Sequence, residues 1–413
     1  MSLLTDASLL LTPNANATSK LYSIIPSNGN GDFTGTRATT ATRVNSSGLI
    51  ETTAINMIRR DYSLGGCPNI LLEPQRTNLA LQSSSFDNIV WDKNNTTVTA
   101  NTTTSPSGVT DADTIQRDGV LSSLTLAQDI SVTLGVTYTL SVYAKKNTNN
   151  FIQLTGRSTS FATTSFANFD LNNGVVGTVG ATATATITNV GNGWYLCTAT
   201  MAATGTASID SMMIHLVTSA SSVRLEPNTL STSVFLWGAQ LEAGAYATSY
   251  IPTTTASVTR NADSITRNNI FTNGLITSAG GTWFVELRNN LSVTRDATSG
   301  GIFINTGNIS TTGDGFAIRS ANTTSRMSIS KVIANTNTIL FTPTTDTIKV
   351  AIKWNGSTAD VFVNGVKQVS ATAFTTTAMQ NLIADGINRQ AFINEMALFP
   401  TPLTDAQCIA LTQ

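Results

Sequence analysis

One carboxylate in the stretch SVFLWGAQLEAGAYATSYIPT, Ser233 to Thr253, could do chemistry. The stretch begins as an alternating apolar run and then places Gln240 and Glu242 two residues apart, after Trp237. A glutamate in a cleft could act in glycoside hydrolysis, but that reaction requires a second, facing carboxylate, and the sequence supplies no obvious one. The alternative is a buried glutamate that pairs with a cation and closes a folded domain.

Other catalytic signatures are absent from the sequence. His215, the single histidine, lies in MMIHLV, whose alternation indicates a strand position and favours a structural role. The chain has no Gly-x-Ser-x-Gly, no His-Glu-x-x-His and no Gly-Lys-Ser/Thr loop, and GNGDFTG lacks the spacing of a dinucleotide site. We therefore predict a protein that is not an enzyme.

Metal and disulfide signals are weak. Cys67, Cys197 and Cys408 are far apart and lack Cys-x-x-Cys spacing, which disfavours a zinc knuckle and a disulfide framework. Asp111 and Asp113 could bind calcium, although a solvated turn is the alternative because so few oxygen ligands are visible for a hard cation. No other cofactor is predicted.

Sugar binding requires exposed aromatic rings beside polar side chains. Three of the five tryptophans, Trp194, Trp237 and Trp283, lie in apolar strand contexts that predict burial. Trp91, between NIV and DKNN, and Trp354, just before an Asn-Gly turn, are the candidate carbohydrate-binding residues.

Composition predicts an all-β fold. Charged residues make up 11% of the 413, and Thr, Ser, Asn and Ala replace them, which disfavours long helices and favours pleated surfaces. The net charge of -1 and the lack of a basic stripe disfavour a nucleic-acid partner, and no apolar run is long enough to cross a bilayer. The N-terminus, MSLLTDASLLLTP, lacks the basic start of a signal peptide.

The texture of the sequence changes along the chain and predicts four regions. Residues 1–80 alternate weakly and indicate an extended arm that orders against neighbours. Residues 81–252 contain strands at about ten-residue spacing with Gly and Asn turns, typical of a sandwich or jelly roll. Residues 253–275 are predicted to be a connector, and residues 276–413 a second sandwich. At the end, PLTDAQCIALTQ predicts a helix capped by Thr404 or Asp405, with Gln407 near its third position.

Three segments resemble parts of bacteriophage tail-fibre and other virion surface-fibre proteins. They are FTGTRATTATRVNSSGLIE, PNILLEPQRTNLALQS and FLWGAQLEAGAYATSYIPTTTASVTRNAD. The middle region resembles carbohydrate-binding-module jelly rolls. The pair IKWNGSTADVFVNGVKQ and INEMALFPTPLTDAQCIAL resembles laminin-G/concanavalin-A-like domains. A shared fold does not fix function.

The resemblance implies a structural and adhesive protein on the surface of a phage particle. Such a protein would form homotrimers, contact other virion proteins through the arm at residues 1–80 and bind a host-surface glycan. It implies neither a nucleic-acid partner nor membrane insertion. Two alternatives stay open: a glycan depolymerase of a phage tail, and a bacterial carbohydrate-binding-module protein.

The role of Glu242 follows from the expected topology. The first and last strands of a jelly roll tend to lie side by side, which would bring residues 70–82 next to Glu242. A buried carboxylate needs a hydrogen-bonded cation, and Arg76 is the basic residue of that entering strand. We therefore predict a structural ion pair between Glu242 and Arg76.

Overall fold

The computed structural model describes residues 3–121, 125–289, 301–306, 314–320, 327–334, 336–345, 347–375, 378–385 and 390–413. Strands dominate throughout, which confirms the all-β, β-sandwich prediction. Within these residues, no helix is long and apolar enough to cross a membrane.

The strands follow one another closely along the chain. Those of the first 75 residues are β1 (Leu9–Leu11), β2 (Asn16–Ala17), β3 (Lys20–Leu21), β4 (Phe33–Thr36), β5 (Ala41–Val44), β6 (Ile50–Thr53), β7 (Arg59–Asp61) and β8 (Asn69–Leu72). The next are β9 (Arg76–Asn78), β10 (Asp92–Asn94), β11 (Thr96–Thr104), β12 (Thr110–Arg117), β13 (Thr125–Val132), β14 (Thr137–Lys146), β15 (Phe151–Gly156), β16 (Phe166–Asp170), β17 (Val175–Val179), β18 (Ala183–Gly191), β19 (Trp194–Ala202), β20 (Ala207–Leu216), β21 (Ser233–Ala243) and β22 (Val258–Arg260).

The C-terminal elements complete the list. They are β23 (Ser264–Arg267), β24 (Gly281–Asn289), β25 (Gly301–Asn305), β26 (Gly315–Ser320), β27 (Met327–Ile333), β28 (Thr336–Phe341), β29 (Thr347–Trp354), β30 (Thr358–Val363), β31 (Val366–Ala373), β32 (Asn381–Asp385), β33 (Ala391–Phe399) and the helix α1 (Asp405–Thr412).

The chain divides into two compact units, one of which is inserted into the other. The inserted unit comprises Val44–Glu51 and Arg76–Arg260. The split unit comprises Met1–Arg43, Thr52–Gln75 and Asn261–Gln413. The two sandwiches are therefore not arranged one after the other along the sequence.

The inserted unit is a sandwich of two antiparallel sheets. One has the strand order β10-β13-β20-β15-β16-β17 and the other β11-β12-β21-β14-β19-β18. Alternate residues of the strands point inward and form one apolar core, including Leu140, Ile152, Phe169, Ile214 and Leu236. The short pair β9–β22 joins the beginning of this unit to its end.

The split unit is a second antiparallel sandwich. Its sheets have the orders β31-β30-β29-β24-β33-β8-β7, with β1 also on β33, and β2-β3-β4-β23-β32-β25-β26-β27-β28. Its core includes Leu9, Ile70, Trp283, Ile302 and Val361.

The helix α1 begins as the sequence predicts and packs in the split unit. Thr404 is its N-cap, and Thr404 and Gln407 form a reciprocal capping box. The helix places Cys408 in a small apolar cluster with Phe284 and Phe362, on the outer face of the first of the two sheets.

The structure corrects the predicted arm at residues 1–80. Leu9 and Leu11 of β1 pair with β33, and β8 pairs with β33 as well, so these segments are strands of the split unit. The sequence signal was weak because each strand has only two to four residues, too few to show alternation. A docking role of this region in a particle stays a prediction.

The structure also corrects the predicted connector at residues 253–275. Its first part, through Arg260, includes β22 and belongs to the inserted unit; its second part includes β23, which pairs with β4 and β32. Ile265 and Ile270 are buried in the split-unit core. The polar, Thr-rich composition is that of short, half-buried strands rather than of a linker.

Candidate functional site

Glu242 is fully buried in β21 of the inserted unit, with 0% exposure. The segment at residues 70–82 lies beside it, as predicted: the Leu79 amide donates to the Leu241 carbonyl (2.8 Å), and the Leu241 amide donates to Asn78 Oδ1 (3.1 Å). The entering and leaving ends of the inserted unit therefore meet at Glu242.

Both carboxylate oxygens of Glu242 accept hydrogen bonds from the protein. Thr248 donates its amide (2.9 Å) to Oε2 and its hydroxyl (2.5 Å) to Oε1, and Gln240 Nε2 donates to Oε2 (2.8 Å). Burial raises the pKa of Glu242 above its usual value, although the Thr248 bonds and the charges of Arg260 and Arg76 act in the opposite direction. The side chain is enclosed and occupied, which suits a structural role.

Two arginines lie opposite each other beside this carboxylate. Arg76 of β9 is in register with Arg260 of β22. Arg260 Nη1 bonds to the hydroxyls of Thr248 (3.2 Å) and Ser249 (3.0 Å), and the Arg76 guanidinium lies 5.1 Å from the ring centre of Tyr246. The charge of Arg260 acts on Glu242 more strongly than that of Arg76. A direct ion pair between Glu242 and Arg76 stays a prediction. We call Arg76, Gln240, Glu242, Thr248 and Arg260 the Glu242 cluster.

A second buried polar cluster lies in the split unit. Asp263 pairs with Arg37 (Nη1–Oδ1, 2.9 Å) and with Arg59, and Arg59 also pairs with Glu73 (Nη1–Oε2, 2.7 Å). All four residues, the Asp263 cluster, are at most 5% exposed. Buried pairs of this kind leave a costly uncompensated charge when one partner is removed. Sequence reasoning noted a basic excess that included Arg37 and Arg59, but their partner lies about 200 residues away.

The two candidate sugar-binding tryptophans are buried, so the predicted exposure is wrong. Trp91 and Trp354 are each 1% exposed. Trp91 donates Nε1–H to the Gln82 carbonyl (3.1 Å) and packs on Phe86 at 4.9 Å between ring centres; Trp354 packs on Phe316 at 5.9 Å. Trp354 is the last residue of β29 and points into the core, so the turn that follows it gave a misleading surface signal.

The exposed aromatic ring of the described residues is Tyr22, at 39%. Lys20 Nζ lies 5.0 Å from its ring centre and 2.8 Å from Asp32 Oδ2. An accessible ring flanked by charged hydrogen-bonding groups has the chemistry of a sugar contact. The sequence gave no signal for this group, because Tyr22 follows a strand of only two residues.

A pair of carboxylates faces outward on the split unit. Glu286 of β24 is directly opposite Glu395 of β33, and Lys349 of β29 is directly opposite Glu286 on its other side. Lys349 Nζ lies 3.9 Å from Glu286 Oε2. Burial, and then the charge of Glu286, raise the pKa of Glu395. Sequence reasoning missed this pair because strand register alone brings the two glutamates together.

Asp113, a candidate calcium ligand, is used locally. It is 1% exposed and accepts the amides of Phe86 (2.8 Å) and Asn101 (2.9 Å). Asp111 is half-buried. Within the described part of the chain, no group of three or more His, Cys, Asp or Glu side chains is placed to hold a metal ion.

No family model matches the chain, and no curated protein matches it. Among solved structures, it is similar to domain 4 of AbnA, a GH43 extracellular arabinanase from Geobacillus stearothermophilus, in complex with arabinotriose (14% identity, 41% of this chain and 82% of that chain, TM-score 0.29). It is also similar to the binding domain of botulinum neurotoxin DC in complex with rat synaptotagmin II (14% identity, 37% and 40%, TM-score 0.27). A third is Trypanosoma rangeli sialidase in complex with 2,3-difluorosialic acid (11% identity, 32% and 22%, TM-score 0.25). Scores this low establish neither family nor function.

Proposed function

We propose that this chain is a structural and adhesive protein of a bacteriophage particle, which binds a host-surface glycan and catalyses no reaction. The observation that supports this is the position of the three segments that resemble phage fibre proteins. They supply all members of the Glu242 and Asp263 clusters except Arg59. Segments far apart in sequence thus meet as structural fasteners of two sandwiches, as expected of a shared structural module rather than of a chance similarity.

The adhesive part of the proposal relies on Tyr22, whose exposed ring lies beside Lys20 and Asp32. A sugar ring stacked on the tyrosine would gain about 1 kcal/mol, by analogy with aromatic pairs. We expect purified protein to bind host cells, and periodate oxidation of the cell-surface glycan to abolish binding. Tyr22→Ala should weaken binding about fivefold, and Tyr22→Phe, which keeps the ring, should not.

The virion assignment has its own test. Mass spectrometry of purified particles should detect the chain in stoichiometric amounts, and particles made without it should adsorb poorly to the host. Its absence from particles, together with glycan binding by the purified protein, would favour the bacterial carbohydrate-binding alternative.

One observation favours the depolymerase alternative: the facing carboxylates of Glu286 and Glu395. Directly opposed residues have Cβ atoms about 5 Å apart, close to the carboxyl separation of a retaining glycosidase. The raised pKa of Glu395 would suit a general acid. Release of oligosaccharide from host capsule, lost in Glu395→Gln without loss of thermal stability, would overturn the non-enzymatic proposal.

A further inference from the structure

The loop between β20 and β21, residues 217–232, lies across the outer face of a sheet of the inserted unit. We call it the strap. Beneath it, Gln153 of β15, Asn168 of β16 and His215 of β20 point away from the core and are 0% exposed. A row of polar side chains on an outer sheet face is normally solvated, so its complete burial makes the strap a cover.

The two amides of this row hold the strap by its main chain. Gln153 donates Nε2–H to the Val223 carbonyl (3.1 Å) and accepts the Leu225 amide at Oε1 (2.8 Å). Asn168 donates Nδ2–H to the carbonyls of Ser222 (2.6 Å) and Ala220 (3.2 Å). These bonds hold the strap through its peptide groups and can be replaced by water without loss of the sheet ladder.

His215 is the weakly held member of the row. Its Nε2 lies 3.5 Å from the Glu226 carbonyl oxygen, and its Nδ1 has no hydrogen-bond partner among the described residues. The charged groups that face it are Arg117 at the end of β12 and, on the strap, Arg224 and Glu226. Glu226 Oε2 already accepts the Thr218 hydroxyl (2.8 Å) and amide (3.0 Å).

We propose that the strap is an acid-released cover: protonation of His215 lifts residues 217–232 from the sheet and exposes the amides of Gln153 and Asn168. An imidazolium beneath the closed strap would hold a buried N–H without an acceptor and a positive charge next to two arginines. Both penalties disappear when the strap opens and water reaches the ring.

The size of the effect separates strap opening from unfolding. Burial, opposed by the Glu226 carbonyl contact, lowers the pKa of His215 from 6.5 to about 4. This difference corresponds to a shift of up to about 300-fold toward the open strap in acid. Folded-to-unfolded ratios of small domains are about 10³ to 10⁸, so the strap should open while the sandwich stays folded.

The single histidine makes the first measurement direct. The imidazole carbon-bound proton signals of the full chain should titrate as one group with a midpoint near pH 4. Hydrogen exchange of strap peptides, corrected for intrinsic rates, should lose up to about 300-fold of protection over the same pH range. Peptides from β14, in the other sheet, should keep theirs.

Two variants test the mechanism from opposite sides. His215→Gln cannot gain the charge, so its strap should stay protected at pH 4. Gly177→Ala should open the strap at neutral pH, because a Cβ there would lie 2.3 Å from the Ala220 carbonyl oxygen. The proposal is overturned if the wild-type strap stays protected once the imidazole is charged, if β14 loses protection together with it, or if His215→Gln opens at the same pH.

Discussion

The charged residues of this chain are few, and several are spent inside the protein. Glu242, Arg260, Arg59 and Asp263 are each at most 5% exposed and lie in one of the two clusters. Ion pairs enclosed in this way add little net stability over an apolar core but fix which segments meet. We infer that the clusters specify the closure of each unit.

Glu242→Gln tests this role directly. The amide turns one acceptor into a donor that faces Gln240 or Thr248, and it leaves the nearby arginines without a counter-charge. We expect a loss of about 3 kcal/mol, measured by denaturant unfolding of the inserted unit. Asp129→Asn is the matched control. Asp129 is exposed and lies 3.8 Å from Arg157, so it should change stability by less than about 0.5 kcal/mol. Equal effects of the two variants would contradict the assignment.

Trp91 gives a second test at this scale. Because its ring is buried against Phe86, Trp91→Ala should cost about 3–5 kcal/mol. Binding to host cells, measured below the lowered melting temperature, should be unchanged per folded molecule. Loss of binding without loss of stability would restore the tryptophan as a ligand contact.

The residue-level predictions succeeded where local pattern sufficed. Glu242 lies between alternating apolar residues, so its burial follows from the period of the strand. Its neighbour Arg260 and the Glu286–Glu395 pair depend on which strands become adjacent, and one sequence carries no direct record of pairing.

Elements with strong local signals were recovered, and short ones were not. The helix α1 carries its capping box within four residues and was predicted with its cap. The strands β1 to β8 have two to four residues each and are defined only by their partners, so their segment was interpreted as an arm.

The cap of α1 supports an element-scale prediction. Thr404→Ala removes the hydroxyl that accepts the Gln407 amide (3.2 Å) and should cost about 1 kcal/mol. Hydrogen exchange of residues 404–413 should rise, because the first turn loses its cap. Thr401→Ala, three residues earlier and exposed, should leave this exchange unchanged. A similar increase in both variants would mean that the cap does not hold the helix.

The whole molecule is organised by the insertion, which predicts how fragments behave. Residues 76–260 contain both sheets and the core of the inserted unit, so this fragment should fold alone. Residues 276–413 lack β1, β7, β8 and β23 and the core residues Leu9, Ile70 and Ile265, so this fragment should not fold. Near-ultraviolet circular dichroism and cooperative thermal unfolding distinguish the two outcomes. A cooperatively folded 276–413 fragment would show that the N-terminal strands are dispensable additions.

The insertion also sets an order of events during synthesis. The partner of β1 and β8 is β33, which ends at Phe399, so the first 75 residues leave the ribosome more than 300 residues before that partner exists. At bacterial and eukaryotic elongation rates this delay is of the order of tens of seconds. The inserted unit can fold within that interval, while Leu9, Leu11, Ile70 and Leu72 stay without their sheet. A nascent chain in this state exposes unpaired strand edges, and its folded yield should depend on translation speed and on chaperones that bind extended apolar segments.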